Sequence, residues 1–157
     1  MTRILMVCLG NICRSPMADG LLRRKVKELN LPIFVDSAGT ANYHTGSKPD
    51  ERMCQTGKRN GTSIDELRAR QFSKADFEDF DVIYAMDNEN YRNIIKLSAS
   101  EQHRTKVKLI LNELYPGENR AVPDPYYGTD NDFQAVYDLL DQATDVVITK
   151  IQHGTIR

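Results

Sequence analysis

The chain has 157 residues, 40% of them hydrophobic and 27% charged, with a formal net charge of −1. That is the length and mixture of one globular domain, residues 1–157, able to bury a core without disulfides or metals. The near-neutral balance offers no bulk attraction for nucleic acid or an anionic membrane, and no apolar run is long enough for membrane insertion.

The apolar start, Met1 to Val7, is too short for the hydrophobic region of a signal peptide and reads instead as a buried strand. Three cysteines, Cys8, Cys13 and Cys54, are an odd number with no export signal. They point to free thiols in a reducing cytoplasm. No Cys/His cluster has zinc spacing, so neither a metal nor another cofactor is expected.

Taken in chain order, Ile4 to Leu9 is a continuous apolar run, the pattern of a strand covered on both faces. A polar turn containing glycine follows, then Ser15-Pro16, which predicts a helix with serine as N-cap and proline at the first helical position. Ala18, Leu22, Val26 and Leu29 continue it at helical spacing, and Asn30 and Pro32 end it. A second strand is expected over Ile33–Asp36 and a helix with a thin apolar stripe over Pro49–Asn60. Asp81–Met86 reads as a short buried strand, Asn88–Leu97 as a helix and Val107–Leu111 as the fourth strand. Phe133, Val136, Tyr137, Leu140, Val147 and Ile151 carry a last helix from about Asp130 to Gln152. This alternation predicts an α/β fold, a parallel twisted sheet that is doubly wound with helices on both faces. In such sheets ligands bind beyond the carboxyl ends of the strands, where the turn after Leu9 and the loop after Met86 lie.

The segment richest in chemistry is Cys8-Leu9-Gly10-Asn11-Ile12-Cys13-Arg14-Ser15. It joins a buried strand to a helix N-terminus, a place with unpaired amides and the positive end of the helix dipole, and hence an anion site. Gly10 and Asn11 are the residues best able to adopt left-handed conformations there. Arg14 supplies a planar fork for two phosphoryl oxygens. Together these favour a nucleophilic thiolate at Cys8, to which Ser15 can donate. A free cysteine is more often a small buried hydrophobe, but the strand before it and the Ser-Pro after it fit the reactive reading better. A thiolate attacking phosphorus needs an acid for the leaving oxygen. His44, His103 and His153 stand in no suggestive setting and read as solvated. Asp124, held between prolines in Pro123-Asp124-Pro125-Tyr126-Tyr127-Gly128, is the better candidate.

Cys8 through Pro16, Asp36-Ser37-Ala38-Gly39, Ala69-Arg70-Gln71, Ala85-Met86-Asp87 and Asp124 through Gly128 occur in this order over the whole chain. In these segments the chain resembles the low-molecular-weight protein tyrosine phosphatases. The resemblance implies a four-stranded parallel sheet and phosphotyrosine hydrolysis through a cysteinyl-phosphate, without a metal. It makes Cys8 the nucleophile, Arg14 the phosphate clamp and Asp124 the acid and then the base. It has Asn11, Ser15 and Ser37 brace the loop, and places Asp87 at the site edge. Leu9, Gly10, Asn11, Ile12 and Cys13 would bind the substrate, with Tyr43, Tyr126, Leu9 and Ile12 as walls of a slot for an aryl ring; Tyr43 stands where the family often has Trp. Many members have a loop-bracing His where this chain has Leu67. Phosphotyrosine proteins are the implied partners and phosphate and vanadate the implied inhibitors, for a monomer or weak homodimer.

Rival readings fit less well. A reductase of the arsenate type needs further downstream cysteines, and Cys54 stands alone in a helix. A phosphoarginine phosphatase of the same family would have Thr at Ile12. A non-catalytic phosphate-binding or redox-sensing module would not need Cys8, Arg14 and Asp124 together. Arg23-Arg24-Lys25 reads as a solvated helix face. A reactive Cys8 with Cys13 on the same curled loop also predicts reversible peroxide inactivation through a Cys8–Cys13 disulfide.

Overall fold

In the computed structural model, which describes residues 1–156, the first apolar run forms β1 (Thr2–Cys8). Ile4, Leu5, Met6 and Val7 are all fully buried, as a strand covered on both faces requires. Alternation along the strand divides them between two cores. Ile4, Met6 and Cys8 join the larger one, and Leu5 and Val7 the smaller.

The chain continues through α1 (Arg14–Glu28), β2 (Ile33–Gly39), α2 (Glu51–Arg59), α3 (Asp76–Asp79), β3 (Val82–Ala85) and α4 (Asn88–Ile95). It then forms α5 (Glu101–Thr105), β4 (Val107–Leu109), a 3₁₀ turn over Ile110–Glu113 and the long α6 (Asp130–Gln152). The sheet has four strands in the order β2-β1-β3-β4, every neighbouring pair parallel. Residues of α1, α2 and α6 build the larger core on one face, while Phe77 of α3 and Ile94 of α4 build the smaller core on the other. The expected α/β architecture is therefore present. From β1 the chain crosses to β2 on one side and later to β3 on the other. The carboxyl end of β1 is thus the point where winding reverses, and a crevice opens there.

The differences from the sequence expectation are local. The α1 helix starts at Arg14 with Cys13 as N-cap and no side-chain cap, so Ser15 is not the cap and Pro16 is not the first helical residue. Ser15 is fully buried and its hydroxyl is used elsewhere. Asn30 ends α1 in the left-handed conformation, φ 52°. The strand expected to reach Leu111 stops at Leu109, where the backbone tightens into the 3₁₀ turn. The sequence reading missed α3 and α5, which at four and five residues are too short to show a periodic stripe. It also missed the capping box of α6, in which Thr129 and Asp132 bond each other's backbone.

Candidate active site

The turn after β1 is held from outside. Carbonyls of Cys8 and Leu9 accept from Thr40 and Ala41 amides at 2.9 Å each, and that of Ile12 from Asp50 at 2.8 Å. Among the described residues, the amides of Gly10, Asn11, Ile12 and Cys13 have no protein acceptor. Of the two residues expected to turn left-handed, only Asn11 does, at φ 57°. Its side chain is fully employed: Nδ2 donates to Ser15 Oγ at 2.7 Å and Ser37 Oγ at 3.0 Å, and Oδ1 accepts from the Arg70 amide at 3.0 Å. Gly10 instead lies beneath the His44 ring, from which a Cβ would stand 3.1 Å away. The more demanding glycine is Gly39, opposite Cys8 in the sheet. A Cβ there would approach Leu9 O to 2.7 Å and Asn11 N to 3.1 Å, so only a bare Cα lets the loop pass.

Cys8 Sγ lies 3.0 Å from Ser15 Oγ. Because Asn11 already donates to that oxygen, the hydroxyl hydrogen is available to sulfur, with Ala38 O the more distant alternative at 3.4 Å. Arg14, the first residue of α1, is 3% exposed. Its Nη1 donates to Asp87 Oδ2 at 2.7 Å and to Val122 O at 3.1 Å, and Nη2 lies 3.8 Å from Asp124 Oδ2. Burial works against the guanidinium charge, but Cys8, Asp87 and Asp124 outweigh it and raise its pKa. Asp87 uses its other oxygen to cap α4, accepting from Asn90 N at 2.7 Å. One carboxylate thus ties the arginine to a helix end, a role the sequence left open. Asp124 is about half exposed, and its Oδ1 accepts from the Tyr126 amide at 3.1 Å. Cys13 is buried, and burial, with Asp50, Cys8 and Asp124 behind it, pushes its thiol well up.

These groups open on a cleft of about 340 Å³. Leu9, Gly10, Ile12, Cys13, Tyr43 and Tyr126 line it together with Cys8, Arg14 and Asp124. Asn11, Ser15 and Ser37 stand behind the loop, buried. His44 and Tyr127 join the lining, which the sequence did not signal. The rim is aromatic and open: Tyr43 is 74% and Tyr127 96% exposed. Tyr126 packs edge-on against Tyr127 at 4.9 Å and lies 5.5 Å from the Arg52 guanidinium. His103 is not free in solvent; it stacks on Phe77 at 4.6 Å and meets Glu78 at 2.6 Å. Leu67 packs half-buried against the larger core, and the loop is braced instead by the Asn11 amide and the Arg70 backbone. Among the described residues, no group of three or more His, Cys, Asp or Glu side chains is placed to hold a metal ion, nor is any helix long and apolar enough to cross a membrane.

Residues 3–155 match the model of the low molecular weight phosphotyrosine protein phosphatases. The chain belongs to that family. The low molecular weight phosphotyrosine protein phosphatase of Homo sapiens is 41% identical over 137 residues, 85% of each chain. The low molecular weight protein-tyrosine-phosphatase YfkJ of Bacillus subtilis is 39% identical over 97% of each. A crystal structure of a protein tyrosine phosphatase from Entamoeba histolytica, with Hepes in its active site, superposes with a TM-score of 0.91 at 37% identity, covering 98% of this chain and 99% of that one. Family membership sets the enzyme class of the chain, protein-tyrosine-phosphatase, and the four-stranded sheet is the family's α/β fold.

Proposed function

We propose that the chain hydrolyses phosphotyrosine in proteins, and small aryl phosphates, through a phosphate ester formed on Cys8. The observation that carries this reading is that Cys8, Arg14 and Asp124 converge on one cleft whose floor is a loop of unpaired amides. The dianionic phosphoryl group sits over those amides, with Arg14 on two of its oxygens. The Cys8 thiolate attacks phosphorus as the bond to the tyrosyl oxygen breaks, and Asp124 gives that oxygen its proton. The same carboxylate then takes a proton from water, which attacks phosphorus and releases inorganic phosphate and the thiolate. Asp87 acts one step back by keeping the guanidinium plane fixed on the loop. The Tyr43 and Tyr126 rings, with Leu9 and Ile12, form an apolar slot for the aryl ring. Phosphate and vanadate inhibit by taking the phosphoryl position.

The test is hydrolysis of matched phosphotyrosine, phosphoserine and phosphoarginine peptides in EDTA. Turnover of the phosphotyrosine peptide alone is expected. Preference for phosphoarginine, or loss of activity in EDTA, would replace the reading.

A further inference from the structure

Behind the cleft a line of buried polar groups runs from Cys8 to a carboxylate with no part in the proposed reaction. Asp19, in α1, is fully buried. Its Oδ1 accepts from Arg23 twice, at 3.1 and 2.9 Å. Its Oδ2 is buried with no hydrogen-bond partner of conventional geometry among the described residues, although the Ser37 hydroxyl is near enough to favour the charged form. Ser37 Oγ, buried as well, accepts from Asn11 Nδ2 at 3.0 Å. Among the described residues no acceptor of conventional geometry takes the Ser37 hydrogen. A carboxylate oxygen short of a donor thus neighbours a hydroxyl short of an acceptor.

We propose that Asp19 is a positioning residue that sets the direction of the hydrogen bonds leading to Cys8. An ionised carboxylate only accepts, so it claims the Ser37 hydrogen and leaves the Ser37 lone pairs to Asn11. That holds Asn11 Nδ2 on both serines and its Oδ1 on the Arg70 amide. Ser15, already an acceptor, then has its own hydrogen for Cys8 Sγ. A donor at residue 19 reverses this order. Ser37 would have to donate to Asn11, which calls for Oδ1 where Nδ2 now lies, and Ser15 would lose the bond that frees its hydrogen.

The charged groups facing Asp19 are Arg23 on its own helix and Asp36 on β2, the latter paired with Arg70 at 3.1 Å. Burial is the largest influence and, with Asp36 added and Arg23 and Ser37 opposing, brings the carboxyl up to about 6. Its charge, and with it the bond order, therefore changes at a pH where the enzyme is easily assayed: acceptor above, donor below.

This inference rests on Cys8 being the reactive thiol but not on the substrate, so the test reads alkylation of Cys8 by iodoacetate against pH, followed by mass spectrometry. In Asp19→Asn, Arg23 will hold the amide oxygen and turn the NH₂ toward Ser37. The half-point of alkylation should rise by about one pH unit, a tenfold loss of thiolate on its acid side. In a Ser37→Ala background most of that rise should vanish. An equal rise in both backgrounds would mean that Asp19 acts by a route other than Ser37, and would overturn the proposal, as would a fall of the half-point, the direction expected of a carboxylate acting through space, or a folded Asp19→Asn with the parental profile. If Asp19→Asn does not fold, the parent and Ser37→Ala decide. The parental profile should show a second inflection near pH 6, absent from Ser37→Ala; a single ionisation in the parent refutes it. Failure of the phosphotyrosine reading would show in the peptide panel and leave these titrations unaffected.

Discussion

Two loops meet at the carboxyl edge of the sheet, and they are built in opposite ways. The loop from Cys8 to Ser15 is sealed from behind by Gly39, Ser37 and the Arg70 amide, and its key side chains are nearly inaccessible. The loop from Val122 to Gly128 is exposed except at Val122 and Pro125, and Asp124 is held by one bond to the Tyr126 amide and the long approach to Arg14. In the reaction proposed above, the first presents several amides and a sulfur to one phosphoryl group, which demands a fixed geometry. The second, in that reaction, brings one proton to a leaving oxygen that differs among substrates and then handles water, for which a single partly solvated carboxylate suffices. Arg14 joins them, because it grips Val122 O from inside the first loop.

The largest expected effect separates the two roles most sharply. Cys8→Ser should retain vanadate binding and show no measurable turnover of p-nitrophenyl phosphate, since a serine alkoxide is not available at neutral pH. Arg14→Lys should lose about 10²–10³-fold in kcat, because an ammonium cannot hold two oxygens in a plane. Steady-state rates near the parent for either variant would remove the central role of the sealed loop.

Asp124→Ala should lose about 10²–10⁴-fold on phosphotyrosine, with much less loss on aryl phosphates whose leaving group needs no proton. A plot of rate against leaving-group pKa, taken where ester formation limits the rate, should be steeper in the variant. Equal slopes would move the acid elsewhere.

Gly39→Ala tests the seal without touching the substrate. Its methyl would meet the Leu9 carbonyl and the Asn11 amide, which are backbone and cannot swing away. Thermal unfolding should show a loss of about 1–3 kcal/mol, and kcat should fall while the leaving-group slope stays parental. The exposed loop should tolerate more. In Gly128→Ala the new Cβ collides with the Asp132 side chain, which must leave the capping box of α6. A loss of about 1 kcal/mol is expected, with kcat changed little and Cys8 alkylation not at all. If Gly128→Ala disturbs Cys8 as strongly as Gly39→Ala, the two loops are not independent.

The peroxide expectation gives a subtler contrast inside the sealed loop. Cys13→Ser should remain active but recover poorly with dithiothreitol after oxidation, and peptide mapping of the oxidised parent should show Cys8 joined to Cys13. A variant that recovers fully would leave Cys13 as packing alone.

What the sequence by itself determined is whatever neighbours in the chain decide. The run Ile4–Val7 had to be buried on both faces, the turn after it had to lead into a helix, and Cys8, Asn11, Arg14 and Ser15 had to lie together, because a strand, a tight turn and a first helical turn leave them nowhere else to go. Asp124 stood out because prolines flank it. Tertiary structure alone decided which distant groups complete the site. Arg14 finds Asp87 at a separation of 73 residues and Val122 at 108, and Asn11 finds the Arg70 amide at 59. The resemblance puts Asp87 at the site edge without giving it a partner, Gly39 lies beyond the strand expected over Ile33–Asp36, and His44 reads as one more solvated histidine. Nothing periodic or compositional marks them. Their roles arise only where parallel strands bring four remote segments to one edge of the sheet, and where the absence of a Cβ, or the direction of one carboxylate oxygen, depends on what has been packed against it.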